Sequence, residues 1–353
     1  MSVFCGVLAC SSSPRLADRT TAPQRPASQV ETVAQFAFPP MHISISAGGR
    51  LFLDALARDR ESAVKTVEWK EGQLLPFPAP GLQAKYSTIH GLSVDTKDRL
   101  WILDYGNYGM AHRARMYAYD IGTGREIENY TFPSDVAPLG SMPNDLVVDV
   151  NQEHIFISDS GSLLRDSAII VFDIKNRSSR RVLAGHPSLS PAPFDIFVEQ
   201  RPFTIWRFIR PKFGIDGIAL DASSRWFYYS AFNRGELYRI PVSALVAADA
   251  ADAWRASQIE KVADITMSDG MLFDRQQRLY LSDVEHSAIL RLLPGGALET
   301  VFKDAAFRWP TAYAMAPDGQ IYFTTNAIDQ IQRKSRPQIL ALGPYFLYRF
   351  RPD

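Results

Sequence analysis

A six-bladed, all-β propeller is the architecture this sequence predicts, and three features predict it. An apolar burst with an aromatic in its third place recurs six times, each burst follows a short strand-like run across a polar turn, and helical periodicity is scarce throughout. The bursts are Arg50-Leu51-Phe52-Leu53, Arg99-Leu100-Trp101-Ile102, His154-Ile155-Phe156-Ile157, Arg225-Trp226-Phe227-Tyr228, Arg278-Leu279-Tyr280-Leu281 and Gln320-Ile321-Tyr322-Phe323. Counted between aromatics, the intervals are 49, 55, 71, 53 and 42 residues, near the period of four-stranded propeller blades.

The upstream partners are residues 91–95, 146–149, 218–221 and 271–274, closed by Asp95, Asp149, Asp221 and Asp274 before a polar turn. Such pairs read as hairpins. A third run follows in five units, at 116–119, 169–174, 236–240, 288–292 and 346–350, rich in β-branched and aromatic residues. The best helix candidate is the alanine-rich insert 243–256, placed outside the blades. A strand at 30–36 is positioned to complete the last blade beside 346–350, which closes the ring.

Residues 30–353 are therefore assigned to the propeller, 10–29 to a disordered linker and 1–9 to a signal peptide. Val7-Leu8-Ala9-Cys10-Ser11 resembles a bacterial lipobox, followed by a Ser-, Pro- and Arg-rich run unable to pack a core. Export to the periplasm or the extracellular space is expected, with Cys10 as a lipid anchor and the only route to a membrane. Both cysteines, Cys5 and Cys10, lie in this segment, so the propeller contains no disulfide, thiol nucleophile or Cys-ligated zinc site. The 353 residues carry 38 basic and 38 acidic side chains, a balance that offers no broad attraction to nucleic acid. A monomer is expected.

In a propeller the first strand of each blade lines the axial channel. The tight turns between first and second strands share one face, and chemistry is expected at the other, the mouth. First-strand starts there are His90, Asn144-Asp145, Asp216, Asp269 and Thr311. Second-strand ends are Asp104, Asp159, Ser230, Asp283 and Thr325-Asn326. Aspartates at strand ends commonly cap loop backbone, which is the reading for Asp104, Asp159 and Asp283, and more firmly for the turn-face aspartates. Asn144, Asp216 and Asp269 converge on the axis, where clustered oxygens need a cation, water or ligand. The ligand-binding set is thus His90, Asn144, Asp216, Asp269, Thr311 and Asn326, with a small molecule as the partner. The 71-residue interval contains an insert, 186–213, with Arg201, Arg207, Arg210 and Lys212; it crosses the mouth face either as a lid or as a loop packed on the rim.

Several stretches together resemble the Yellow/major royal jelly protein family. They are Asn144-Asp145-Leu146-Val147-Val148-Asp149, Ile157-Ser158-Asp159-Ser160-Gly161, Ile170-Val171-Phe172-Asp173, Arg99 to Asp104, Asp216-Gly217-Ile218-Ala219-Leu220, and Trp309-Pro310 before Tyr322-Phe323-Thr324-Thr325-Asn326. The resemblance spans about 40–350. It implies a six-bladed propeller, usually secreted, whose members bind small molecules in the channel or, in some insect proteins, promote dopachrome conversion. The disulfides common among insect members have no cysteines in the propeller part of this chain to form them.

A more distant similarity, to gluconolactonase and regucalcin-type propellers, implies an alternative. Those proteins hold one divalent cation, often calcium, on a Glu, two Asn and an Asp. Asn144, Asp216 and Asp269 fall at comparable positions, while blades one and two offer His42 and His90 in place of the Glu. A calcium-dependent lactonase or related hydrolase and a tautomerase or isomerase therefore stand beside the ligand-binding reading. No sequence motif demands a cofactor: Gly-rich phosphate loop, nucleophile elbow and metalloprotease His pair are all missing.

Overall fold

The computed structural model describes residues 14–55, 65–162, 164–205, 208–332 and 334–353. Cys5, Cys10 and the lipobox-like segment lie outside the described residues, as does Arg207. Six four-stranded antiparallel sheets surround one axis. Blade 1 comprises Pro40–Ile45, Leu51–Ala55, Thr66–Lys70 and Gln73–Pro76. Blade 2 comprises Ile89–Val94, Arg99–Asp104, Arg115–Asp120 and Glu126–Thr131, and blade 3 Pro143–Val148, His154–Asp159, Ala168–Asp173 and Ser178–Val182. Blade 4 contains Ile215–Leu220, Trp226–Ala231, Glu236–Pro241 and Glu260–Asp264; blade 5 contains Met271–Phe273, Leu279–Asp283, Ala288–Leu292 and Leu298–Lys303. Blade 6 takes Pro310–Met315, Ile321–Thr325 and Tyr345–Phe350 from the C-terminal part and its outermost strand, Glu31–Phe36, from the N-terminal part. Phe36 pairs with Tyr345 and Glu31 with Arg349, which shields an otherwise open edge and ties the two ends of the propeller together.

The core is not one mass but six slabs, one between each pair of neighbouring blades. Phe52, Leu100 and Tyr117 pack between blades 1 and 2; Trp101, Ile155 and Phe172 between 2 and 3; Phe156, Ile218 and Phe227 between 3 and 4. Leu237 meets Leu281, Tyr280 meets Phe323 and Phe350, and Leu53 meets Leu347. Five of the six marker aromatics are at most 1% exposed; the sixth, Tyr322, is half-buried. Strand alternation explains this, since every second residue of a blade must face the next blade.

The structure differs from the sequence reading in three places. The alanine-rich insert forms two short helices, Val242–Val246 and Asp252–Ser257, rather than one. Ala244 and Leu245 of the first are buried in the core between blades 3 and 4, and Arg255 of the second donates to the main-chain oxygen of Ala244 (3.2 Å) and to Asp252 (2.9 Å). Residues 14–29, expected as part of a disordered linker, are instead laid against the propeller. The main-chain N–H groups of Gln24 and Arg25 donate to Thr300 and Val301, because the outermost strand of blade 5 offers free carbonyls to any extended chain beside it. Finally, Ser188 and Leu189 of the insert are buried, and the Ile215 N–H donates to the Leu189 carbonyl, so the start of the insert belongs to the core and only its remainder overlies the mouth face.

Candidate functional site

The inner strands place two successive residues at the mouth end of the channel. In five blades the first-to-second strand register shifts at this point, between Pro40 and Ile43, Ile89 and Leu92, Pro143 and Asp145, Ile215 and Ile218, and Pro310 and Tyr313. A bulge at a strand end re-aims side chains. The first of the two residues is Met41, His90, Asn144, Asp216, Asp269 or Thr311; the second is His42, Gly91, Asp145, Gly217, Gly270 or Ala312. Glycine at the second position lets neighbouring strands approach closely: a Cβ on Gly217 would lie 2.5 Å from the Asp269 carbonyl, and one on Gly270 2.1 Å from that of Thr311.

The polar side chains form two linked chains. His90 Nδ1 donates to Asn144 Oδ1 (2.6 Å), whose Nδ2 donates to Asp216 Oδ1 (2.8 Å). Across the channel, Asp269 Oδ2 accepts from Trp309 Nε1 (2.6 Å) and Thr311 Oγ1 (3.0 Å). His42 stands apart, its main-chain N–H and its Nδ1 both bound to the fully buried Asp54 (2.6 and 2.9 Å). The His42 and His90 rings meet edge to face at 5.7 Å.

A cavity of about 400 Å³ lies below this ring. His42, Asn144, Asp145, Asp216, Asp269 and Thr311 end it on the mouth side; Leu92, Leu146, Ile218, Met271 and Tyr313 make its wall, and Ala222, Asp274 and Arg275 stand at its turn-face end. The structure thus brings together four of the six sequence-predicted residues on the cavity and joins His90 to them through Asn144. Asn326 is elsewhere. It is fully buried, its Oδ1 accepts from the Ile328 N–H (3.0 Å), and its Nδ2 donates to Met41 Sδ (3.2 Å), a capping arrangement away from the cavity lining.

Depth in the molecule sets the electrostatics. Burial raises the Asp216 carboxyl well above its ordinary value, and the nearby Asp269 and Asp145 raise it further. Burial likewise lifts Asp269 to about 6, against the opposing hydrogen bonds from Trp309 and Thr311, and lifts Asp145, against the attraction of His42. For His42, burial works downward, but the Asp54 carboxylate, with Asp145 and Asp269 beyond it, lifts the imidazole to about 9. At neutral pH His42 is therefore a cation whose charge Asp54 already balances.

Sequence reasoning named His42 only as the blade-one stand-in for a metal-binding Glu; it missed the pairing with Asp54 and the part played by Trp309. Trp309 has a left-handed backbone (φ 51°), uncommon for a bulky side chain. Its ring is held between Phe203 of the insert (5.4 Å) and Phe232 (5.7 Å), so the insert supports the group that holds Asp269. The signal available was Trp309-Pro310 directly before the strand. By contrast Asp104, Asp159 and Asp283 are loop caps, accepting from main-chain N–H groups of Ser87, Thr88 and Gly106, of Met142 and Gly161, and of Glu285 and His286.

Calcium takes six to eight oxygens. Asn144 has turned its oxygen to His90 and its NH₂ to Asp216, one Asp269 oxygen is committed to Trp309 and Thr311, and blade 1 contributes an imidazole rather than a carboxylate. This arrangement does not fit a gluconolactonase-type calcium site. Among the described residues the one cluster of three metal-ligating types is Asp149, Glu153 and His154, at the turn between the first two strands of blade 3.

A six-bladed propeller with an acid-lined axial channel is the class these features define. The chain belongs to the major royal jelly protein family, whose model matches residues 87–304. Among curated relatives, major royal jelly protein 5 of Apis mellifera is 24% identical over 163 residues, covering 43% of this chain and 26% of that protein. Major royal jelly protein 2 of the same species is 23% identical over 186 residues, covering 48% and 39%. The chain thus spans well under half the length of either relative. Solved structures with the same fold include a gluconolactonase from Xanthomonas campestris (TM-score 0.57, 13% identity, 97% and 96% of the two chains) and a luciferin-regenerating enzyme (TM-score 0.58, 10% identity, 92% and 95%). At such identities the likeness is one of fold alone.

Proposed function

We propose that this protein is an exported binder of a small molecule carrying a positive charge or several hydrogen-bond donors, held in the axial channel by Asp216, Asp269, Asn144 and Thr311. The observation that carries the reading is the cluster of acids at the mouth-side end of the 400 Å³ cavity: Asp145, Asp216 and Asp269 face it, and the His42 imidazole beside them is already matched by Asp54. Acids so deep in a protein are costly unless protonated or paired, and a cationic guest supplies the partner. Calorimetric titration with a panel of small primary amines and matched carboxylates tests it. Amines are expected to bind selectively and Asp216→Asn to weaken them at least tenfold, an order-of-magnitude figure for one lost ionic contact; preference for carboxylates would sink the reading.

A second reading, an isomerase that moves a proton, is favoured by His42 and Asp54. Buried Asp54 fixes the imidazole through Nδ1, leaving Nε2 as the proton donor toward a channel whose carboxylates have raised affinity for protons. His42→Gln should abolish turnover while leaving amine binding within a few-fold, if this reading holds. A calcium-dependent lactonase is disfavoured by the donor geometry. For the N-terminal segment, the proposed lipid anchor at Cys10 predicts that Cys10→Ser moves the protein from the membrane fraction to a soluble pool. A monomer by size-exclusion chromatography with light scattering is the expected state.

A further inference from the structure

The channel has two ends, and they are not equally closed. At the mouth, Met41, Tyr105, Trp309 and Asn326 are all at most 7% exposed. Trp309 is clamped between Phe203 and Phe232. Asn326 reaches across to Met41, and Tyr105 packs on His90 at 5.1 Å with Tyr108 edge-on behind it at 5.3 Å. Toward the turn face, by contrast, Ser44, Ser93, Val148, Leu220, Phe273 and Met315 retain exposed surface while lining the same cavity, and Ala222 at its end is solvent-exposed. The polar ring is thus reached through the lower channel, over an apolar wall, and not through the mouth.

We infer that the site takes its ligand from the tight-turn face, polar end first, with the ring at the mouth acting as the floor of the pocket and the apolar wall of Leu92, Leu146, Ile218, Met271 and Tyr313 covering the remainder of the guest. The inference rests on the channel being the binding site, yet access can be measured with no ligand at all. The propeller contains no cysteine, so one placed in the ring becomes a unique reporter. The full chain carrying Cys5→Ser, Cys10→Ser and Thr311→Cys would be treated with the small cationic thiol reagent methanethiosulfonate-ethyltrimethylammonium, and the modification rate followed by mass spectrometry. Ala222→Trp and Met315→Trp, which narrow the turn-face opening, are each expected to slow modification at least tenfold, whereas Phe203→Ala, which loosens the mouth, should leave the rate unchanged within about twofold, the scale being set by steric exclusion from a close-packed passage. Unfolding temperatures within a few degrees of the parent identify variants that remain folded. Acceleration by Phe203→Ala with no effect of the two tryptophans would overturn the inference. So would a thiol that reacts only after denaturation, since the ring would then be sealed from both faces. A ligand-binding failure with turn-face access intact would count against the proposed function and not against the route.

Discussion

At the scale of single residues, Asp269 and His42 each tie stability to pH, in two different windows. Asp269, ordinarily near 3.8, is lifted to about 6 by burial. The folded protein therefore holds its proton more readily than the unfolded chain does, and stability is expected to fall as pH rises from about 4 through 6. A two-unit displacement corresponds to no more than about 3 kcal/mol, and Asp269→Asn should flatten that limb of the urea-unfolding profile. His42 has the same sign in a more alkaline window. Its folded value of about 9 exceeds the ordinary 6.5, so its contribution is complete below 6.5 and disappears as pH rises through 9; His42→Gln should remove the alkaline decline. Trp309→Phe keeps the ring but deletes the donor to Asp269. It should raise the pH at which Asp269 ionises, read by NMR titration of the carboxyl carbon, while the Asp269→Asn background shows no such response. Gly270→Ala is a purely steric case: its Cβ would meet main-chain atoms of Thr311, which cannot rotate aside, and a loss of about 3 kcal/mol or more is expected in denaturant unfolding.

Among the elements, the N-terminal strand Glu31–Phe36 has the largest leverage for its size. Ala34 and Phe36 are buried against blade 1 and the C-terminal strand, and with no disulfide in the propeller this strand carries the main-chain pairing of the two ends, supplemented by the hydrogen bond from Arg25 to the Arg351 carbonyl (2.7 Å). A chain beginning after residue 37 is expected to lose at least about 10 °C in unfolding temperature, as loss of several kcal/mol implies for a domain this size; an unchanged transition by calorimetry would show that blade 6 is stable with three strands. The insert 186–213 behaves as two parts. Leu189 belongs to the slab between blades 3 and 4, whereas Ile196, Val198 and Phe203 pack on Phe232, Val284 and Trp309 over the mouth. Its outer part is thus a fixed cover on blades 4 to 6, with a line of contact to Asp269 through Trp309.

For the whole molecule, the ring of six slabs explains why the site tolerates three carboxylates in one channel. Each blade is stabilised by its two neighbours, so the polar ring at the mouth-side end of the channel contributes little to the apolar core and is free to carry charge. If the channel requires a cation only as part of an organic ligand, millimolar calcium and excess chelator should leave the unfolding temperature unchanged within about 1 °C; a rise of several degrees with calcium, lost in Asp216→Ala, would restore the metal-dependent reading through linkage.

The sequence alone determined the blade count, the hairpins and the closing strand, because strand pairing writes a period-two pattern and a repeat into the chain wherever one face must be buried. It also placed Asn144, Asp216, Asp269 and Thr311 at the axis, since each precedes the aromatic of its burst by 11 or 12 residues. What it could not supply was which polar side chains pair with one another. Asp54 lies at the end of a second strand like the capping aspartates, and only the turn of His42 toward it separates the two roles. Asn326 occupies a strand end like Thr325, yet its amide is consumed by Met41 and Ile328. Trp309 is linked to Asp269 across 40 residues and to Phe203 across a loop. Which face of the channel stays open depends on those same contacts, because closure is a matter of side chains from several blades meeting at one point, and no local pattern in the chain encodes a meeting that only the closed ring creates.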